Sequence, residues 1–192
     1  MNQKTSLPLW GILLVIAVAA LSRLLPHPVN MSPLAAMALF GAASFKNRGL
    51  AIALPLLAFW LSDLVLNNTL YRGFYDGVTL VHSGMIWTYG AMILIALIGF
   101  IALRKVSMTR LVGASLTSSF LFFALSNFGV WMSGTMYPKT IEGLVACYVA
   151  AIPFFQNTVA GDLFYTLAIF GGVAVAQSRH ELRHSWSHLR NR

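Results

Sequence analysis

Apolar runs long enough to cross a bilayer follow one another along almost the whole chain, and most ionisable residues fall between them. A helix crossing the hydrocarbon core needs about 20 mostly apolar residues. The candidate spans are residues 7–25, 33–45, 50–66, 85–103, 111–131 and 158–176. The second is short and rich in small residues. A further apolar stretch, residues 141–155, contains Pro153 and reads as a short re-entrant or interfacial helix, because runs of about 10–14 apolar residues rarely span. The strand alternation of an outer-membrane barrel is missing. The expectation is an all-α integral membrane protein. It is a bundle of about six transmembrane helices with a short second span, forming one domain over residues 1–176. A basic amphipathic cytoplasmic tail, residues 177–192, follows.

The charges test this reading. Charged residues make up 9% of the chain, against about 25% in soluble proteins. That excludes a disordered chain, a coiled coil and an ordinary cytosolic enzyme. With six spans, Lys4, Lys46, Arg48, Arg104, Lys105, Arg110, Arg179, Arg183, Arg190 and Arg192 fall on one side. Only Arg23, Arg72 and Lys139 fall on the other. Cytoplasmic loops collect Lys and Arg, so both termini are expected inside, and the net charge of +8 calls for no nucleic-acid partner. Residues 1–19, with Lys4 and Ala17-Val18-Ala19, resemble a cleavable signal peptide. The run stays apolar past Ala19, longer than the usual signal core of about 7–15 residues, which favours a retained span.

Ionisable and polar residues inside spans are costly and are candidates for function. They gather near the outer helix ends. Arg23, His27 and Asn30 follow the first span. Asp63 and Asn67 share a helical face with Trp60 on the third. Asn127 and Trp131 end the fifth, and Asp162 and Tyr165 open the sixth. Loop 67–84 adds Tyr71, Tyr75, Asp76 and His82, with glycines that would let it bend as a lid. Arg23, His27, Asn30, Asp63, Asn67, His82, Asn127, Trp131, Asp162 and Tyr165 are therefore the expected ligand-binding residues. The alternative for the charged members is a staple, Arg23 pairing with Asp63 or Asp162.

Other motifs carry less. His180-Glu181-Leu182-Arg183-His184 fits the zinc-protease pattern but lies past the last span, where Leu182, Trp186 and Leu189 make an apolar stripe suited to a lipid surface. Cys147 is the single cysteine and reads as a buried structural thiol. No phosphate-cradling loop, dinucleotide fingerprint or nucleophile elbow is present. No catalytic residue, metal site or cofactor is expected.

The run Arg23-Leu-Leu-Pro-His-Pro-Val-Asn30, then Ser32 to Gly41, Leu61-Ser-Asp63-Leu, and Tyr137 through Asn157 to Gly161-Asp162-Leu-Phe-Tyr165, resembles a family of small uncharacterised bacterial inner-membrane proteins. The six-span plan is also similar to the substrate-binding S components of energy-coupling-factor vitamin transporters. The resemblances imply a multi-pass protein of the bacterial inner membrane, a small-molecule solute such as a vitamin or cofactor precursor, cobalamin included, and an energy-coupling module as partner. The first span lacks the Ala-x-x-x-Ala by which S components dock that module. The cysteine that a cobalamin carrier would place before span four is missing from residues 67–84, leaving His82 as the substitute ligand. The leading expectation is a binding or uptake protein for a small polar solute, not an enzyme. The alternatives are a structural or assembly protein with no ligand, and a membrane-embedded enzyme using His27 as base.

Overall fold

The computed structural model describes residues 7–190 apart from residue 76, and side chains up to residue 179. Lys4, Asp76 and the side chains of the His180–His184 motif lie outside the described residues. The described chain is all-helical. It consists of α1 (Leu9–Ser22), α2 (Leu34–Ser44), α3 (Arg48–Asn68), α4 (Met85–Ala102), α5 (Met108–Ser133) and α6 (Ile141–Arg190), with one 3-10 turn at Arg72–Phe74. Four of them, α3, α4, α5 and the Ile141–Arg179 part of α6, are long and apolar enough to cross a membrane, while α1 and α2 are shorter apolar helices. The charge parity survives: Lys46, Arg48, Arg104, Lys105, Arg110 and Arg179 lie at one end of the bundle, Arg23, Arg72 and Lys139 at the other.

The short second helix is the axis of the bundle. All 11 residues of α2 are buried, and the other five helices pack around it. Its small residues make that possible. A Cβ at Gly41 would sit 2.5 Å from the Ala51 carbonyl oxygen and 2.7 Å from the Pro55 ring, so α2 and α3 touch backbone to backbone. A Cβ at Gly99 would sit 2.7 Å from that of Ala42, which brings α4 in equally close. Such contacts give membrane helices their dispersion energy, since lipid already solvates the apolar side chains. Met37, Leu39, Phe40, Met92 and Ile95 fill the centre. Phe40 meets Phe170 of α6 edge to face.

Because Ala42 is level with Gly99, the start of α2 lies about six residues, roughly 9 Å, beneath the outer end of α4. Residues 23–33 cover that distance without helix. Irregular backbone at membrane depth is tolerated only inside protein or beside water. Leu24–Asn30 is exposed, which places it toward the watery outer interface, and Asn30 takes a positive φ of 65° there.

One expectation fails. Residues 141–155 are not a separate re-entrant helix, and span six does not begin at residue 158. α6 runs unbroken for 50 residues, about 75 Å. Proline removes one N–H, but Pro153 stands on an exposed face where nothing forces a break. Packing on α5 carries the helix through: Tyr148 Oη donates to Ala124 O at 2.6 Å, and Phe123 stacks against Phe155 at 4.8 Å. Asn157, the natural cap for a new helix, instead donates to Val29 O at 3.1 Å.

Candidate functional site

Asp63 sits on α3, 15 residues beyond Arg48, about 22 Å up the helix. Its Oδ1 accepts from Arg23 Nη2 at 2.6 Å and its Oδ2 from the Tyr89 hydroxyl at 2.7 Å. Arg23 also donates to Phe59 O at 3.2 Å and to Ser62 Oγ, while Ser62 itself donates to Phe59 O at 2.7 Å. The guanidinium lies 3.6 Å over the Phe59 ring, which in turn packs edge to face on Tyr89. Arg23 and Asp63 are only 12% and 11% exposed. Buried ions are tolerated when geometry is close and remaining donors are satisfied, and both conditions hold here. Of the two carboxylates that could pair with Arg23, it is Asp63 that does so.

Next to Arg23, Ser22 Oγ lies 3.3 Å from the Tyr165 hydroxyl of α6. This pair closes the outer end of a lateral groove between α1 and α6, a cavity of about 550 Å³ lined from Leu7 and Trp10 to Ser22 on one side and from Ala176 to Phe164 on the other. Along α1 it extends about 22 Å. Its walls are apolar apart from those two hydroxyls and the Trp10 indole, and Gly11 and Gly172 widen it.

Asp162 is separate. It is 4% exposed and faces α5, where Ser119 Oγ stands 2.6 Å from its Oδ2. Around it the interior of α5 and α6 carries Ser115, Ser118, Thr158 and Thr166, all buried. Gly161 packs against Met31 and the backbone of Ser32, so Asp162 is level with the N-terminal end of α2.

The remaining expected ligand residues lie apart from these clusters, three of them with local contacts. Asn127 donates to Phe123 O in its own helix, and Trp131 Nε1 donates to Pro138 O across the α5–α6 turn. Lys139 caps the C-terminus of α5 by donating to Trp131 O and Gly134 O. His82 stacks beside Tyr75 at 5.8 Å. His27 and Asn30 are exposed, and Asn67 is buried about one turn above Asp63. The 69–84 loop is tied down by Asn68, which pairs twice with Thr79, and by Trp60 Nε1 donating to Leu80 O. Sequence reading missed Tyr89, Ser62, Ser22 and the α5 serines. The i, i+3, i+4 spacing of Ser115, Ser118 and Ser119 was the available signal, a polar stripe on an otherwise apolar span.

A family model matches residues 3–185, nearly the full chain. The protein belongs to DUF6580, a family of unknown function. No curated protein and no solved structure matches it. For this DUF6580 member the bundle of apolar helices implies a multi-pass membrane protein in contact with lipid.

Proposed function

We propose that this protein is a membrane-embedded binding and uptake protein, non-enzymatic, for a small amphiphilic solute. The carrying observation is the α1–α6 groove. Small-molecule sites are mostly apolar concavities of about 300–1,000 Å³ with a few placed polar groups. The groove has that size, and Ser22 and Tyr165 close one end beside Arg23. Uptake rather than storage is drawn from the resemblance that the sequence suggested between its six-span plan and that of vitamin-binding S components. The polar solute expected from the sequence fits less well, because Arg23 and Asp63 spend their hydrogen bonds on each other and on Ser62, the Phe59 carbonyl and Tyr89. A solute with an apolar body and one polar end matches what is left.

The test is native mass spectrometry of protein purified in mild detergent, wild type beside Gly172→Leu. Nothing lies within 4 Å of a Cβ at Gly172, so a leucine there enters open space on the groove wall and is expected to fill it. The wild type is expected to carry one small amphiphile and the variant to be bare. Equal retention in both, or bulk phospholipid alone in both, overturns the reading.

A further inference from the structure

We propose that Asp162, Ser119, Ser115 and Thr166 form a seat for one Na⁺ ion between α5 and α6. The inference does not use the solute groove, whose α6 wall contains neither Asp162 nor Thr166.

Three observations carry it. First, Asp162 is buried without a counter-ion: the one ion pair among the described residues is Arg23–Asp63. Elements packed on α6 offer no substitute. α2 has no ionisable side chain, and the only one on α5 is the exposed Arg110, nine residues from Ser119. An isolated buried carboxylate costs far more than a paired one.

Second, the hydrogen bonds fall short. Ser119 has one hydroxyl proton and two acceptors in reach, Asp162 Oδ2 at 2.6 Å and Ser115 O at 3.1 Å. Asp162 can therefore count on at most one donor from that side.

Third, the hydroxyls of Ser115 and Thr166 are fully buried and have no hydrogen-bond partner. α5 and α6 run antiparallel with Ser119 opposite Asp162. Four residues further inward on each helix lie Ser115 and Thr166, one turn, about 5.4 Å, below the carboxylate. Phe170 and Leu111, another turn inward, are buried and apolar and end the polar stretch.

Carboxylate and hydroxyl oxygens are hard ligands suited to hard cations. One carboxylate and one monovalent ion make a neutral site, whereas a divalent ion would leave a buried positive charge. A proton on Asp162 would neutralise it but leave the Ser115 and Thr166 oxygens unpaired, and such orphans are rare in native interiors. Of the common monovalent ions Na⁺ is the smaller and harder, and so the better match to carboxylate and hydroxyl oxygens.

The experiment is thermal unfolding of the full chain in detergent, titrated with NaCl against choline chloride at constant ionic strength. At a hundredfold excess over Kd, Na⁺ is expected to raise Tm by about 5 °C or more. Asp162→Asn should abolish the rise, and Thr166→Val should shift its midpoint about tenfold upward. Gly172→Leu should leave it unchanged, which separates this site from the solute groove. No Na⁺-specific rise in the wild type, an equal rise with KCl, or a stabilisation that follows pH alone overturns the proposal. So does an unchanged response in Asp162→Asn. Should that variant fail to fold, an unchanged Na⁺ midpoint in Thr166→Val is decisive against it.

Discussion

Asp63 and Asp162 are both buried carboxylates near the outer half of the bundle, and their surroundings differ in every term that matters. Asp63 meets an arginine, a tyrosine hydroxyl and, through Arg23, a serine and a backbone carbonyl, drawn from α3, α4 and the end of α1. Asp162 meets one serine, with two unsatisfied hydroxyls a turn away. The first cluster is closed upon itself: its charge is cancelled and none of its buried side-chain N or O atoms lacks a partner. The second is open, and an open polar cluster inside apolar helices needs something from outside the chain. A carboxylate in a membrane helix therefore says little about function until its partners are counted. Arg23–Asp63 holds three elements together, whereas Asp162 is arranged to receive.

The comparison can be broken in order of effect. Asp63→Ala strands a buried guanidinium and should cost about 3–5 kcal/mol, seen as a large drop in Tm or as loss of folded protein. Replacing both partners, Arg23→Met with Asp63→Leu, should recover a good part of that loss. If the double variant is no better than the single one, the closed-cluster account is wrong. Tyr89→Phe removes one hydrogen bond to the ion and should cost about 1.5–3 kcal/mol by the same measurement. Asp162→Asn, in buffer free of Na⁺, should be neutral or stabilising within about 1 kcal/mol, because it removes an uncompensated charge. A loss as large as that of Asp63→Ala would make the two carboxylates equivalent. Gly172→Leu should change stability by about 0.5 kcal/mol or less while emptying the groove, read by ligand retention.

The helical plan was legible because it rests on run length and loop charge, both one-dimensional properties. α4, expected at 85–103, forms at Met85–Ala102, and α2, expected at 33–45, forms at Leu34–Ser44. The continuity of α6 was not legible, since Pro153 is a breaker by local rules and only contacts with α5 hold the helix through it. The choice of Asp63 over Asp162 as the partner of Arg23 was equally hidden. It depends on which helix stands beside the end of α1, and spacing along the chain carries no such information. Asn127 and Trp131 were singled out for being polar or aromatic at the right depth, yet each is occupied within its own helix or the adjoining turn. The groove left no trace in sequence because two helices with ordinary apolar faces create it by standing apart.

The brevity of α2 has a consequence for how the protein is made. Eleven residues rise about 16 Å, half of a hydrocarbon slab of about 30 Å. Such a segment cannot be threaded into a bilayer as an independent span. It enters as one arm of a hairpin with α3, the helix that Gly41 lets it touch. Its outer end stays unsupported until α4 and α6 arrive. Biogenesis must therefore end with the late helices closing around the early one, so that the axis of the finished bundle is the last part to become settled.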